Sequence, residues 1–170
     1  MIPAVVLAAG ASSRFGSPKQ RVLLPAVLER VRRSPVDDVV VVLGAHEVET
    51  DARVVRCPDW SAGPGASLRC GLAALPDDAE AAVVVLADGP DLAPAAVERV
   101  VAAWRDGGGG LYAATYGGER SHPVVIGRPL WAAVPDEGFR VLAPEPVPCD
   151  DLGAPGDVDR PDDLPARFGA

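Results

Sequence analysis

Three uninterrupted apolar runs, at residues 4–7, 39–43 and 83–86, limit what this chain can fold into. Each is short, rich in valine and leucine, and flanked by turn formers. None alternates between apolar and polar residues, so none suits a sheet with one wet face. Continuous runs of this kind are strands buried on both sides. Helical segments separate them. Residues 22–33 carry apolar side chains at helical spacing and stop at Ser34-Pro35. Residues 67–75 open on a serine suited to an N-cap and end at Pro76. Residues 94–105 place a proline in the first turn and run into four consecutive glycines at 107–110. Arg53–Arg56 and Leu111–Tyr116 add two short strands. Strands and helices alternating over short links predict a three-layer α/β/α domain with a mainly parallel sheet.

Gly117-Gly118 is a turn signal, after which residues 123–126 return antiparallel, making the sheet mixed, before a short helix near 129–134. Residues 136–156, rich in proline, glycine and acids, read as loop with one short strand, and 161–168 as a terminal helix. With no repeat and no long linker, residues 1–170 are expected to form a single domain.

The loop after the first run carries the densest chemistry. Leu7, Ala8, Ala9, Gly10, Ser12, Ser13, Arg14, Gly16 and Lys19 combine glycines, hydroxyls and two cations in one short stretch. Glycine lets backbone N–H groups approach phosphate oxygens, and the cations offset their charge. Of the 16 basic residues Lys19 is the single lysine, and in a chain that otherwise uses arginine a compact ammonium here points to a geometric need. The spacing is not G-x-x-x-x-G-K-[ST], nor is it G-x-G-x-x-G, which counts against a nicotinamide-dependent oxidoreductase.

Four further stretches stand out. Asp88 follows a buried strand, where open α/β sheets place their ligands, and a carboxylate there can hold Mg²⁺. A glycine-rich loop at 62–65 feeds the helix of Ser67 and Arg69, an anion-binding arrangement that Arg69 reinforces. His122 stands beside Arg120 and Ser121, whereas His46 has no such context and reads as surface. Asp157 and Asp159, two apart on an extended segment, point the same way and can complete a metal site. Taken singly, each is also an ordinary turn, cap or acidic loop.

Taken together, these residues resemble the MobA-like nucleotidyltransferases, the family that attaches nucleotides to molybdenum cofactor and related phosphates. The first loop reads L-A-A-G-x-S-x-R-x-G-x-P-K, the second stretch is similar to the family's A-D-x-P turn, and 157–164 to its D-x-D-x-P-E-D-L ending. The stretch at 60–72, W-x-x-G-x-x-x-S-L-R-x-G-L, with the histidine segment at 122–124, resembles the molybdenum cofactor cytidylyltransferase branch. The resemblance implies a Rossmann-like nucleotidyltransferase fold, catalytic roles for Arg14, Lys19 and Asp88, and Mg²⁺ on Asp88 and Asp159. It also implies nucleotide contacts from the first loop, Ser67 and Arg69, and contact between His122 and the second substrate. The implied reaction moves CMP from CTP to the phosphate of molybdenum cofactor with release of pyrophosphate. Ala9 stands where guanylyltransferases of the family carry glycine, and its methyl group disfavours a purine. The recipient of the product is then a molybdoenzyme or its chaperone. The stretch after Lys19 is shorter than the family's usual one, which keeps a catalytically weak nucleotide- or pterin-binding module open. Cytidylyl transfer to a sugar or polyol phosphate is the other alternative.

Net charge sets outer limits. At −8 the chain argues against an extended nucleic-acid surface, although small polyanions can still bind where cations converge. Cys57, Cys70 and Cys149 are odd in number and lack C-x-x-C spacing, so reduced thiols are expected, without a disulfide framework or a zinc site. A start without a basic stretch, and apolar runs too short to cross a bilayer, predict a cytoplasmic protein with no membrane partner.

Overall fold

A computed structural model describes residues 1–12 and 14–169. Its centre is a seven-stranded sheet ordered β3-β2-β1-β4-β6-β5-β7, built from β1 (Ala4–Ala8), β2 (Val39–Leu43), β3 (Arg53–Arg56), β4 (Ala81–Leu86), β5 (Leu111–Tyr116), β6 (Glu119–Gly127) and β7 (Glu145–Pro148). β6 runs antiparallel to its neighbours β4 and β5, and every other pairing is parallel. The expectation of a three-layer, mainly parallel mixed sheet holds.

The three apolar runs are the innermost strands. Val5 and Val6 are both 0% exposed, because successive side chains point to opposite faces and each face is covered. Ala4, Val6, Val41, Val83 and Val85 pack beneath α1 (Gln20–Arg32) and α3 (Pro94–Asp106), joined by Leu24, Val27, Val97 and Val100 of those helices. Val5, Val40, Val42 and Val84 pack on the other face against Leu68 and Leu72 of α2 (Pro64–Ala73). Gly71 sets the distance of α2 from the sheet. A Cβ there would stand 2.6 Å from Val5 Cγ1 and 2.7 Å from Val42 Cγ2.

Several boundaries differ from those expected. α2 begins at Pro64, not Ser67, because Gly63 at φ +142° turns the chain into the helix and proline fits the first turn. Ser67 is therefore a buried residue inside the helix and not its cap. The short helix expected near 129–134 is a 3-10 turn, Arg128–Ala133. The expected terminal helix is two separate 3-10 turns, Pro161–Asp163 and Ala166–Phe168, divided by Pro165, whose ring cannot continue a helix. The expectation of reduced thiols is corrected for two cysteines. Cys57 leaves β3 directly beneath Cys70 on α2, their Cα atoms are 5.8 Å apart, and the two form a disulfide. Proximity comes from the strand-to-helix return, which C-x-x-C spacing does not register. Cys149 is free and buried. Among the described residues no helix is long and apolar enough to cross a membrane.

Candidate active site

The chain moves outward from β1 to β2 and β3, then returns to add β4 on the other side of β1. Strand order therefore reverses between β1 and β4, and in open α/β sheets ligands bind outside the carboxyl ends of the strands at that reversal. A cleft of about 430 Å³ opens there. Leu7, Ala8, Ala9, Gly10 and Ser12 line it from the first loop, and Ser67 from α2. Arg14, Lys19, Asp88 and Asp159 stand at its charged end. Ser13 lies outside the described residues.

Local hydrogen bonds hold the first loop open. Gln20, the first residue of α1, donates from Nε2 to Gly10 O at 2.9 Å, and its Oε1 accepts from Ser12 Oγ at 2.8 Å. Ser12 adopts φ +54°, and its carbonyl accepts from the N–H groups of Phe15 and Gly16. His46, read from sequence as surface, hydrogen-bonds through Nε2 to Ala11 O at 2.7 Å and braces the loop from outside.

Lys19 is the N-cap of α1, and its ammonium points across the cleft. Nζ donates to Val158 O at 2.5 Å and lies 3.5 Å from Asp88 Oδ2 and 3.6 Å from Asp159 Oδ1. Arg14 pairs with Asp159. The C-terminal segment reaches the site through Val158, which is buried and donates its N–H to Asp88 O at 3.0 Å. With Val158 turned inward, the flanking Asp157 and Asp159 face the clefts. Burial pushes the Asp88 carboxyl up to about 6, nearby Asp157 adds to that shift, and Lys19 opposes it.

A second cleft of about 730 Å³ adjoins the first and shares Arg14, Leu86, Asp88, Arg140 and Asp159 with it. His122 lines this second cleft. Its Nδ1 accepts from Leu86 N–H at 3.4 Å, and among the described residues Nε2 has no hydrogen-bond partner. Burial pushes the imidazole down to about 4, so the ring is neutral near pH 7. Gly89 makes room for it, since a Cβ there would lie 2.5 Å from Nε2.

Arg69 takes no part in either cleft. Its guanidinium donates to Val134 O at 2.7 Å and pairs with Asp136, fastening α2 to the segment after β6. Sequence reasoning gave no role to Gln20 or Arg140, and both line the clefts. Gln20 immediately follows the lone lysine, a position that could have marked it. Arg140 carries no such signal, since it lies in a loop of proline, glycine and acids.

The carboxylates suit a hard divalent cation. Among the described residues no three His, Cys, Asp or Glu gather into a metal cage, and Asp88 and Asp159 are the two carboxylates beside the first cleft that could offer hard oxygen donors. That is how Mg²⁺ is commonly held, by one or two carboxylates plus substrate oxygens.

Comparison with known proteins agrees with this geometry. Residues 4–137 match the family described as the MobA-like NTP transferase domain. No curated protein matches the chain significantly. Among solved structures, a homologue of Rv0371c from Mycobacterium sp. strain JC1 shares 28% identity over 95% of this chain and 92% of its own, with a TM-score of 0.78. The manganese complex of Rv0371c from Mycobacterium tuberculosis H37Rv shares 26% identity over 95% of each chain, with a TM-score of 0.72. Molybdopterin-guanine dinucleotide biosynthesis protein A from Archaeoglobus fulgidus shares the fold at 15% identity, covering 98% of this chain and 96% of its own, with a TM-score of 0.68. The matched segment carries the sheet reversal, the first loop and Asp88, and the chain belongs to the MobA-like NTP transferase family of nucleotidyltransferases.

Proposed function

We propose that the protein transfers CMP from CTP to the phosphate of molybdenum cofactor and releases pyrophosphate, with Mg²⁺ as the metal. The observation that carries this reading is the shared wall. Two clefts meet at Arg14, Asp88 and Asp159, so a nucleotide in one and a phosphorylated acceptor in the other touch at the same charged centre.

The first loop and Ser67 hold the nucleotide. Arg14 and Lys19 draw charge toward the departing pyrophosphate, and Asp88 and Asp159 are the metal ligands. An acceptor phosphate oxygen forms a bond to the α-phosphorus as the bond from that phosphorus to the bridging oxygen breaks, and pyrophosphate leaves with the electron pair. The acceptor is already ionised at neutral pH, so the step needs no general base. Catalysis is then positioning and charge neutralisation. When bound, the metal offsets negative charge on the α-phosphate. The manganese complex of a relative supports a divalent cation in this role. Ala9, buried at the cleft wall, supports a pyrimidine because its methyl group narrows the space for a base. The product would pass to a molybdoenzyme or its chaperone.

Incubation with each nucleoside triphosphate, Mg²⁺ and molybdenum cofactor, followed by pyrophosphate measurement, tests the reading. Release with CTP above the other nucleotides is expected. Release only with a sugar or polyol phosphate would change the acceptor, and nucleotide binding without release would favour a binding module.

A further inference from the structure

Four basic side chains line the two clefts, and three of them are already engaged within the protein. Arg14 pairs with Asp159, Lys19 stands between Asp88 and Asp159, and Arg120 donates to Leu142 O at 2.5 Å. Arg140 is the fourth. Among the described residues it has neither an ion-pair nor a hydrogen-bond partner, and it lines both clefts.

Its position is built. Arg140 lies on a 3-10 turn, Gly138–Val141, that docks on the N-terminal end of α2. Gly65 N donates to Asp136 O at 2.9 Å, Gly138 N donates to Pro135 O at 2.9 Å, and Arg69 grips Val134 O and Asp136 from the same helix. Gly65 allows this contact, since a Cβ there would fall 1.6 Å from Pro135 O. The segment that presents Arg140 is thus fixed to the helix whose Ser67 lines the nucleotide cleft.

The charge of the second cleft gives Arg140 its task. Asp88, Glu119, Asp157 and Asp159 line that cleft, a setting that repels a phosphate monoester. An entering dianion needs a cation not already engaged with carboxylates or carbonyls of the protein, and a guanidinium suits phosphate through two parallel N–H donors. We propose that Arg140 binds the phosphate monoester of the acceptor at the seam between the clefts and so selects phosphorylated over unphosphorylated acceptors. This inference rests on the two-substrate reading above.

The test is a binding titration with CTP and, anaerobically, with molybdopterin or its dephosphorylated form, on the wild-type protein and the R140A and R140K variants. For R140A the expected loss of molybdopterin affinity is about ten- to a hundredfold, with CTP affinity unchanged and partial recovery in R140K. Dephosphorylated pterin should bind the wild type and R140A equally. Loss of CTP affinity in R140A, an equal loss with both pterins, or no loss at all would overturn the proposal, as would a wild-type protein that binds neither pterin. Transfer activity is read separately. A wild-type protein that binds pterin through Arg140 yet releases no pyrophosphate defeats the transferase reading and leaves this inference standing.

Discussion

The Lys19 ammonium lies 3.5 Å from the Asp88 carboxylate, although one residue caps α1 and the other follows β4. The contact crosses the line where strand order reverses, so the sheet topology itself delivers the two charges to one point. Nζ also meets Val158 O and the Asp159 carboxylate, which draws the C-terminal segment into the same cluster. Lys19 thus offsets a crowded group of acids in the folded protein, and in the proposed reaction the same ammonium faces the polyphosphate.

Replacing Lys19 with arginine tests that geometry. The Lys19 side chain is 13% exposed, and its compact head reaches one carbonyl and two carboxylates at once. A planar guanidinium is bulkier and cannot meet those three oxygens from one point. K19R should keep the fold by circular dichroism while kcat/KM for pyrophosphate release falls about tenfold or more. Unchanged kinetics would make the single lysine of the sequence an accident.

The same residue shows how far sequence reasoning reached. Lys19 stood out because one ammonium among arginines is a local anomaly, and the buried strands were legible because double-sided burial leaves uninterrupted valine runs. Contacts made by return of the chain were not legible. Cys57 and Cys70 pair only because β3 leads into a helix that doubles back over its end. Arg69 suits an anion site by its neighbours, yet the loop after β6 supplies closer oxygens and takes it. Arg140 owes its place to a docked turn with no periodic pattern to announce it.

Reduction of the Cys57–Cys70 bridge should lower thermal stability. The bridge closes a loop of sequence separation 13, which contains Trp60 and Ser67 of the first cleft. Loop-closure entropy for that length is worth about 3 kcal/mol, an upper figure because α2 is held to the sheet independently. Melting with and without a reductant should show a lower Tm when reduced, and a C57S/C70S variant should be insensitive to reductant. Equal melting temperatures in the wild type would refute the constraint.

Gly65→Ala should separate the acceptor wall from the rest of the fold. A methyl group 1.6 Å from Pro135 O cannot be accommodated unless the 135–138 segment moves away. That movement breaks the Gly65–Asp136 hydrogen bond and shifts the turn that carries Arg140. The expected cost is about 2 kcal/mol or more in urea denaturation, with weaker binding of a phosphorylated acceptor. Wild-type stability in this variant would mean that the docking of α2 contributes little.

Asp88 and His122 should give the metal-free protein opposite pH dependences in one window. Burial raises Asp88 from 3.8 to about 6, so the folded state holds that proton more tightly than the unfolded chain. Its contribution to stability is therefore lost as pH rises through this interval, by about 3 kcal/mol in total. Burial lowers His122 from 6.5 to about 4, so its contribution is full above 6.5 and is lost as pH falls toward 4, by about 3 kcal/mol as well. The two oppose each other in the wild type, whose urea midpoint in EDTA should vary less between about pH 4.5 and 6.5 than that of either single variant. D88N leaves the histidine term alone and should lose stability on acidification, while standing above the wild type near neutrality. H122N leaves the aspartate term and should gain stability over the same fall in pH. Parallel profiles for the three proteins would show that neither group is held away from its usual range, and the electrostatic description of the cleft would have to be redrawn from that result.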